Sequence, residues 1–199
     1  MQDLERRFTH WVDLVDHLLR CAEAAFPTGL LTAELAQTFG TNSSWNWIDP
    51  DGSYGFEMLD QPVGWPSEAE QDFWTRTAFP EHPLLRWFTA TGDSSAMTIA
   101  RVPEAVAPRR GRELVVECLA PVGLEQQLSI PYRLGAGGQR TFVLATAGAD
   151  YSDDDVTLAR RIQPLLVLLA RGRSRTAWLR ARSPRRGWIR RARVTSSSL

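Results

Sequence analysis

Apolar residues recur at spacings of three and four in several stretches of the chain, a pattern that predicts amphipathic helices. The N-terminal stretch shows it clearly, because Phe8, Trp11 and Val15 fall on one side and Glu5 and Asp13 on the other. The same pattern, with breaks at proline and glycine, predicts helices over residues 3–25, 32–39, 68–79, 84–88, 113–119 and 153–170.

On both sides of residues 49–52, side chains alternate between two faces as in a strand, in place of the helical spacing. Residues 49–52 themselves have the sequence Asp-Pro-Asp-Gly, which is typical of a turn. Two aromatic-rich runs flank this turn, so it predicts a β-hairpin. Alternation places Trp45 and Trp47 on one face of the first strand, and Tyr54 and Phe56 on one face of the second.

A second hairpin is predicted further along the chain. Residues 127–132 and 141–146 alternate as strands do, and the glycine-rich run 135–138 joins them. Residues 97–102 are interpreted as a short strand or an extended linker. Hairpins interleaved with helices predict an α+β fold of the GAF or PAS type, an antiparallel sheet flanked by helices.

The charges divide the chain into two parts. It has no Lys, and its 23 basic residues are all Arg. Residues 171–199 hold ten Arg and no acidic residue, whereas residues 1–170 hold 13 basic and 23 acidic side chains, a formal charge of −10. We therefore expect one acidic domain over 1–170 and a basic, disordered tail over 171–199.

The residues that carry common enzyme chemistry are missing or scattered. Without Lys there is neither Schiff-base chemistry nor a phosphate-binding Gly-Lys loop, and Gly-x-Ser-x-Gly does not occur. Glu81-His82 is interpreted as a surface or capping pair, and residues 153–155, three consecutive Asp, as favourable charges at a helix N-terminus. His10 and His17 lack further metal ligands nearby. We therefore predict no enzymatic activity, no metal and no cofactor.

The chain also lacks the signals of a membrane or secreted protein. No apolar run is long enough to span a bilayer, and the first residues do not form a secretory signal. Cys21 and Cys118 lie too far apart for a zinc motif and are interpreted as buried thiols. A cytoplasmic location is expected.

Four short motifs occur in a fixed order. They include His82-Pro83-Leu84 followed by Thr91-Gly92-Asp93, and a closing segment that begins Tyr151-Ser152-Asp153. The four motifs lie within residues 44–49, 82–93, 119–128 and 151–165. Together they resemble the GAF-like sensory domains of actinobacterial LuxR-type transcription regulators. The resemblance implies a domain that binds a small effector or a partner and signals to a C-terminal helix-turn-helix.

The basic tail does not continue this pattern. Residues 171–199 contain no pair of amphipathic helices for a helix-turn-helix, so sequence-specific DNA binding is not expected. Three interpretations are open: a frameshift or early stop, a nucleic-acid-binding arm, or a disordered tail without a role. In the second, Trp178 and Trp188 would stack on bases, and phosphates would bind Arg180, Arg185, Arg186, Arg190 and Arg191.

Three functions follow as hypotheses. A sensory domain would bind a small organic effector between sheet and helices, and its candidate ligand residues are Trp45, Trp47, Tyr54, Phe56 and Trp65, unless these rings are only core. An interaction module would form a homodimer through its first and last helices, supported by an exposed apolar stripe over residues 156–169. An enzyme would need a buried His or carboxylate with a shifted pKa in a cleft.

Overall fold

The computed structural model describes residues 2–21, 25–135 and 137–172, and the backbone of 192–193. The helices are α1 (Gln2–Arg20), α2 (Thr28–Phe39), α3 (Glu68–Phe73), α4 (Pro83–Thr91), α5 (Arg109–Leu119) and α6 (Asp153–Gly172). A π-helical turn, Trp74–Ala78, continues α3, and a 3-10 turn, Ala120–Val122, follows α5. The strands are β1 (Asn42–Ile48), β2 (Ser53–Met58), β3 (Met97–Thr98), β4 (Gln126–Arg133), β5 (Gln139–Thr146) and β6 (Ala192–Arg193).

The strands form one antiparallel sheet in the order β3-β4-β5-β1-β2-β6. Its centre is the pairing of β5 with β1, in which Thr141 lies opposite Asn46 and Phe142 opposite Trp45. Because successive side chains of a strand point to opposite faces, this register decides which side chains share a face. Thr141 and Asn46 lie on one face, and Phe142 and Trp45 on the other.

One face of the sheet is covered by α1, α2 and α6. The main core lies there, and it includes Trp11 of α1, Leu35 of α2, Phe142 of β5 and Ile162 of α6, all fully buried. An ion pair between Glu5 and Arg161 also joins α1 to α6 at the surface. The other face is covered by α3, α4 and α5, with a second apolar cluster centred on Leu84, Phe88 and Val115.

Both hairpins and the antiparallel α+β architecture are confirmed. Two helices also begin at serine caps: the Ser67 hydroxyl accepts a hydrogen bond from the Glu70 amide at 3.5 Å, and the Ser152 hydroxyl accepts one from the Asp155 amide at 3.1 Å. Pro164 lies inside α6, which continues to Gly172.

The main differences concern where elements begin and end. Helix α2 begins at Thr28 and α5 at Arg109, each four residues earlier than predicted, because each starts directly after a proline whose fixed φ suits a helix entry. Helix α1 ends at Arg20. Of residues 97–102, interpreted as a short strand or an extended linker, only Met97 and Thr98 form a strand, β3, which pairs with β4.

Four residues of the predicted tail lie in secondary structure. Arg171 and Gly172 form the end of α6, and Ala192 and Arg193 pair with Tyr54 and Ser53 of β2 as a short edge strand, so the prediction of disorder does not hold at these positions. The other tail residues, including Arg180, Arg185, Arg186, Arg190 and Arg191, lie outside the described residues. Among the helices that the structure does describe, none combines the length and apolar character needed to cross a bilayer.

Candidate functional site

A cavity of about 510 Å³ lies between the sheet and the helices α3, α4 and α5. It occupies the face opposite the main core, so the sheet separates it from α1, α2 and α6. A volume of this size falls in the range of small-molecule sites, roughly 300–1,000 Å³.

The floor of the cavity is the sheet, and the polar side chains that it contributes are uncharged. Ser44 and Asn46 of β1 lie beside Thr141 of β5, and Ser129 of β4 follows. The Asn46 amide donates to the Ser44 hydroxyl at 2.8 Å, and the Ser129 and Thr141 hydroxyls lie 2.6 Å apart. These groups share hydrogen bonds along the floor, which offsets the cost of placing them under the helices.

The walls are largely aromatic. The Phe56 and Trp65 rings are tilted at 55° with centroids 5.9 Å apart, and the Tyr54 and Phe79 rings stack at 4.0 Å. The Tyr54 hydroxyl lies 2.9 Å from the Thr75 hydroxyl in the π-helical turn, which links this wall to the sheet. Rings with a few polar groups between them suit a flat organic molecule.

His82 borders the cavity at the start of α4 and is buried, with 7% of its surface exposed. Its Nε2 lies 3.1 Å from Oε1 of Gln127, and the Gln127 amide donates to the Leu124 carbonyl at 3.4 Å. Burial lowers the pKa of His82 to about 4, and the hydrogen bond with Gln127 opposes this only in part. The imidazole is therefore neutral at pH 7. Its ring also lies nearly perpendicular to that of Trp74, at 78°, with ring centroids 5.8 Å apart.

No family model matches the chain, and no curated protein matches it. Solved structures do: the LBD domain of VqsR from Pseudomonas aeruginosa is 12% identical, with 81% of this chain and 90% of that chain covered at a TM-score of 0.53. The phycoerythrobilin-bound GAF domain from a cyanobacterial phytochrome is 15% identical, with coverages of 89% and 97% and a TM-score of 0.51. The chain adopts a GAF fold.

A third similar structure is the chromophore-binding domain of the bacteriophytochrome RpBphP3 from R. palustris. It is 12% identical, with a TM-score of 0.52, and the match covers 89% of this chain and 63% of that one. At such low identity the likeness shows the GAF fold and carries over no ligand residues. The chemistry of the cavity therefore depends on the side chains of this chain itself.

The five aromatic residues singled out from the sequence do not all lie at the cavity. Trp47, Tyr54, Phe56 and Trp65 border it, whereas Trp45 lies on the opposite face, where its indole N–H donates to the Tyr132 hydroxyl at 2.7 Å. The strand alternation that grouped Trp45 with Trp47 is correct, since their rings lie 4.7 Å apart. Trp47 still borders the cavity at the position where its cross-strand partner, Gly55, has no side chain. Ligand binding by the four remaining residues stays a prediction.

The polar half of the site was not predicted from the sequence. His82, interpreted as a surface or capping residue, is buried because α4, which begins at Pro83, packs onto the sheet beside Gln127. Gln127 and Ser129 alternate with apolar residues, a pattern typical of a strand with one solvent-exposed face. In this protein, helices cover both faces of the sheet. Gln127 and Ser129 could be placed at the cavity only by knowing which helices cover which face.

The two cysteines are free and half-buried rather than fully buried. Cys118 borders the cavity, and its pKa is raised, first by burial and then by the charges of Glu117 and Glu70. A thiol with a raised pKa is a poor nucleophile, because the thiolate is the reactive form. Cys118 therefore does not have the environment of a covalent attachment site.

His82 meets one condition that was set for an enzyme, namely a buried histidine with a shifted pKa in a cleft. Its hydrogen-bond partner is the amide of Gln127, which can neither orient an imidazolium by charge nor act as a nucleophile. Within the described residues, no three His, Cys, Asp or Glu side chains come together as a metal site. Asp155 instead pairs with Arg7 at 3.0 Å.

Proposed function

We propose that this GAF domain senses a small organic molecule bound in its cavity and belongs to a regulator of the LuxR type. The observation that carries the proposal is the cavity of about 510 Å³, which combines aromatic walls with a hydrogen-bonding floor. Such an arrangement buries the apolar body of a ligand and orients its polar end. The sequence motifs that resemble those of LuxR-type regulators support the regulatory role.

The strands offer a direct route by which a ligand could influence the opposite face. Thr141 and Val143 of β5 border the cavity, whereas Phe142 and Leu144 between them are buried under α1, α2 and α6. A ligand that favours one position of β5 would therefore bias the packing of those helices. Helix α6 leads into the tail, so a change in the position of this helix would transmit the effect of ligand binding.

Filling the cavity should abolish ligand binding. Val143 is half-buried on the cavity floor, so Val143→Trp places an indole where the ligand would lie. In a thermal-shift screen of the full chain against a metabolite library, we expect compounds that raise the Tm of the wild type. Their affinity for V143W should fall at least about tenfold, equivalent to roughly 1.4 kcal/mol.

The matched control is Val116→Trp, which adds the same ring on the exposed side of α5, where Val116 is 48% exposed. V116W should bind every hit as the wild type does. Hits that bind V143W with unchanged affinity would show that they occupy another site, and would contradict the proposal.

A homodimer through α1 and α6 is a second candidate function. Most of the apolar stripe expected over residues 156–169 is buried in the core of the same chain, since Leu158, Ile162 and Leu166 are fully buried. Large apolar side chains nevertheless remain exposed on these two helices, namely Val12, Leu19 and Leu168. They favour association, although each is only half-exposed.

Sedimentation velocity of the full chain tests this candidate. We expect a dimer whose dissociation constant rises at least about tenfold in Leu168→Glu, because a charge would then be buried at the interface. Leu59→Glu, which alters an exposed leucine beyond the end of β2, is the control and should leave the dimer intact. A wild-type monomer at all concentrations would rule the candidate out.

A further inference from the structure

The charged side chains around the cavity are all acidic. The chain has no Lys, and none of the cavity-lining side chains that the structure describes is an Arg. The acidic groups are Glu70 of α3 and Glu117 of α5, and both are exposed at the rim. Both charges act on the thiol of Cys118, so they lie on the same wall.

The two carboxylates differ in their surroundings. The Glu70 carboxylate accepts hydrogen bonds from the Ser67 amide at 2.7 Å and the Ser67 hydroxyl at 2.5 Å, which lowers its pKa. Glu117 is exposed to water on α5. The rim therefore carries two negative charges at neutral pH.

Among the described residues, the cavity lining supplies no compensating positive charge. His82 borders the cavity, but its low pKa leaves it neutral. The floor offers hydroxyl and amide groups from Ser44, Asn46, Ser129 and Thr141, which hydrogen-bond equally well to neutral ligands. An anion that entered the cavity would lose its hydration shell without gaining a positively charged partner, and this loss of solvation is strongly unfavourable.

We propose that the cavity selects neutral or positively charged molecules with an aromatic or aliphatic body, and rejects carboxylates and phosphates. This inference rests on the proposed function, since it names the class of ligand that the same cavity takes. The aromatic walls favour a cationic group as well, because Trp65 and Trp74 line the cavity and indole rings attract ammonium ions. The polar end of the ligand lies on the floor or at the acidic rim.

Three indole compounds that differ in charge test the selectivity: tryptamine is a cation, tryptophol is neutral and indole-3-propionate is an anion. Their binding to the full chain is measured by isothermal titration calorimetry at neutral pH. Tryptamine and tryptophol should bind at least about tenfold more tightly than indole-3-propionate. V143W should weaken the binding of both, which assigns the binding to the cavity.

A charge reversal at the rim should move this selectivity. In Glu117→Arg the affinity for tryptamine should fall and that for indole-3-propionate should rise, each several-fold, while tryptophol stays unchanged. Glu104→Arg makes the same charge change at an exposed residue that does not line the cavity, and it should keep the wild-type ratios. Circular dichroism confirms that both variants fold.

The outcomes separate this inference from the proposed function. Tight binding of indole-3-propionate that V143W removes would overturn the charge selectivity while supporting a ligand-binding cavity. Binding of none of the three compounds in a V143W-sensitive way would count against the cavity as a ligand site, and the inference would fall with it. Equal effects of E117R and E104R would also overturn it, because the rim charge would then have no specific role.

Discussion

Lowering the pH from 6.5 to about 4 should destabilise the folded chain by about 3 kcal/mol through His82 alone. The folded protein holds His82 neutral, whereas the unfolded chain takes up a proton near the ordinary pKa of 6.5. The unfolded state thus binds more protons in this window, so stability falls as the pH falls. Above pH 6.5 the contribution of His82 should be constant.

Urea unfolding at a series of pH values measures this effect. Other groups titrate at low pH as well, including Asp93, whose pKa is lowered by hydrogen bonds from Ser95. The comparison with His82→Gln therefore isolates the histidine, because the variant keeps a neutral side chain beside Gln127. Its stability should depend less steeply on pH, whereas His17→Gln, which removes an exposed histidine of α1, should behave like the wild type.

A parallel pH dependence in wild type and H82Q would show that His82 takes up a proton within the fold. The cavity would then hold a cation at mildly acidic pH, and its expected preference against anions would weaken there. The same experiment therefore bears on the electrostatics of the site as well as on stability.

Local signals in the sequence were sufficient for most of the fold. The turn at residues 49–52 and the alternation on both sides of it predict the β1–β2 hairpin, since turn chemistry and side-chain period act over a few residues. Ser67 and Ser152 likewise mark helix starts through contacts three residues away. Such short-range features depend little on the rest of the chain.

The site was harder to predict because it depends on contacts distant in sequence. His82 and Gln127 are 45 residues apart, and only the packing of α4 on β4 brings them together. The two faces of the sheet also cannot be assigned from alternation alone, because helices cover both. For this reason Trp45 was grouped with the cavity although it packs against the main core.

The second large expected effect is a loss of stability when Phe142, on the core-facing side of β5, is truncated. Phe142 is fully buried on the face away from the cavity, with ring centroids 5.4 Å from Tyr132 and 6.5 Å from Phe26. Phe142→Ala removes a ring that these neighbours cannot replace, so the free energy of unfolding should fall by about 3–5 kcal/mol. Urea unfolding followed by circular dichroism measures the loss.

Leu59→Ala serves as the control, since Leu59 is 46% exposed and its truncation should cost less than about 1 kcal/mol. The folded fraction of F142A should still bind cavity ligands, because position 142 does not line the cavity and acts on it only through the position of β5. Val143→Trp, one residue further along, should lose ligand while retaining most of its stability. If F142A were as stable as L59A, or if its folded fraction lost ligand as completely as V143W does, the division of β5 into a core face and a ligand face would be wrong. The route proposed from cavity to helices would then lose its basis, because it relies on Phe142 and Val143 packing on opposite faces of one strand.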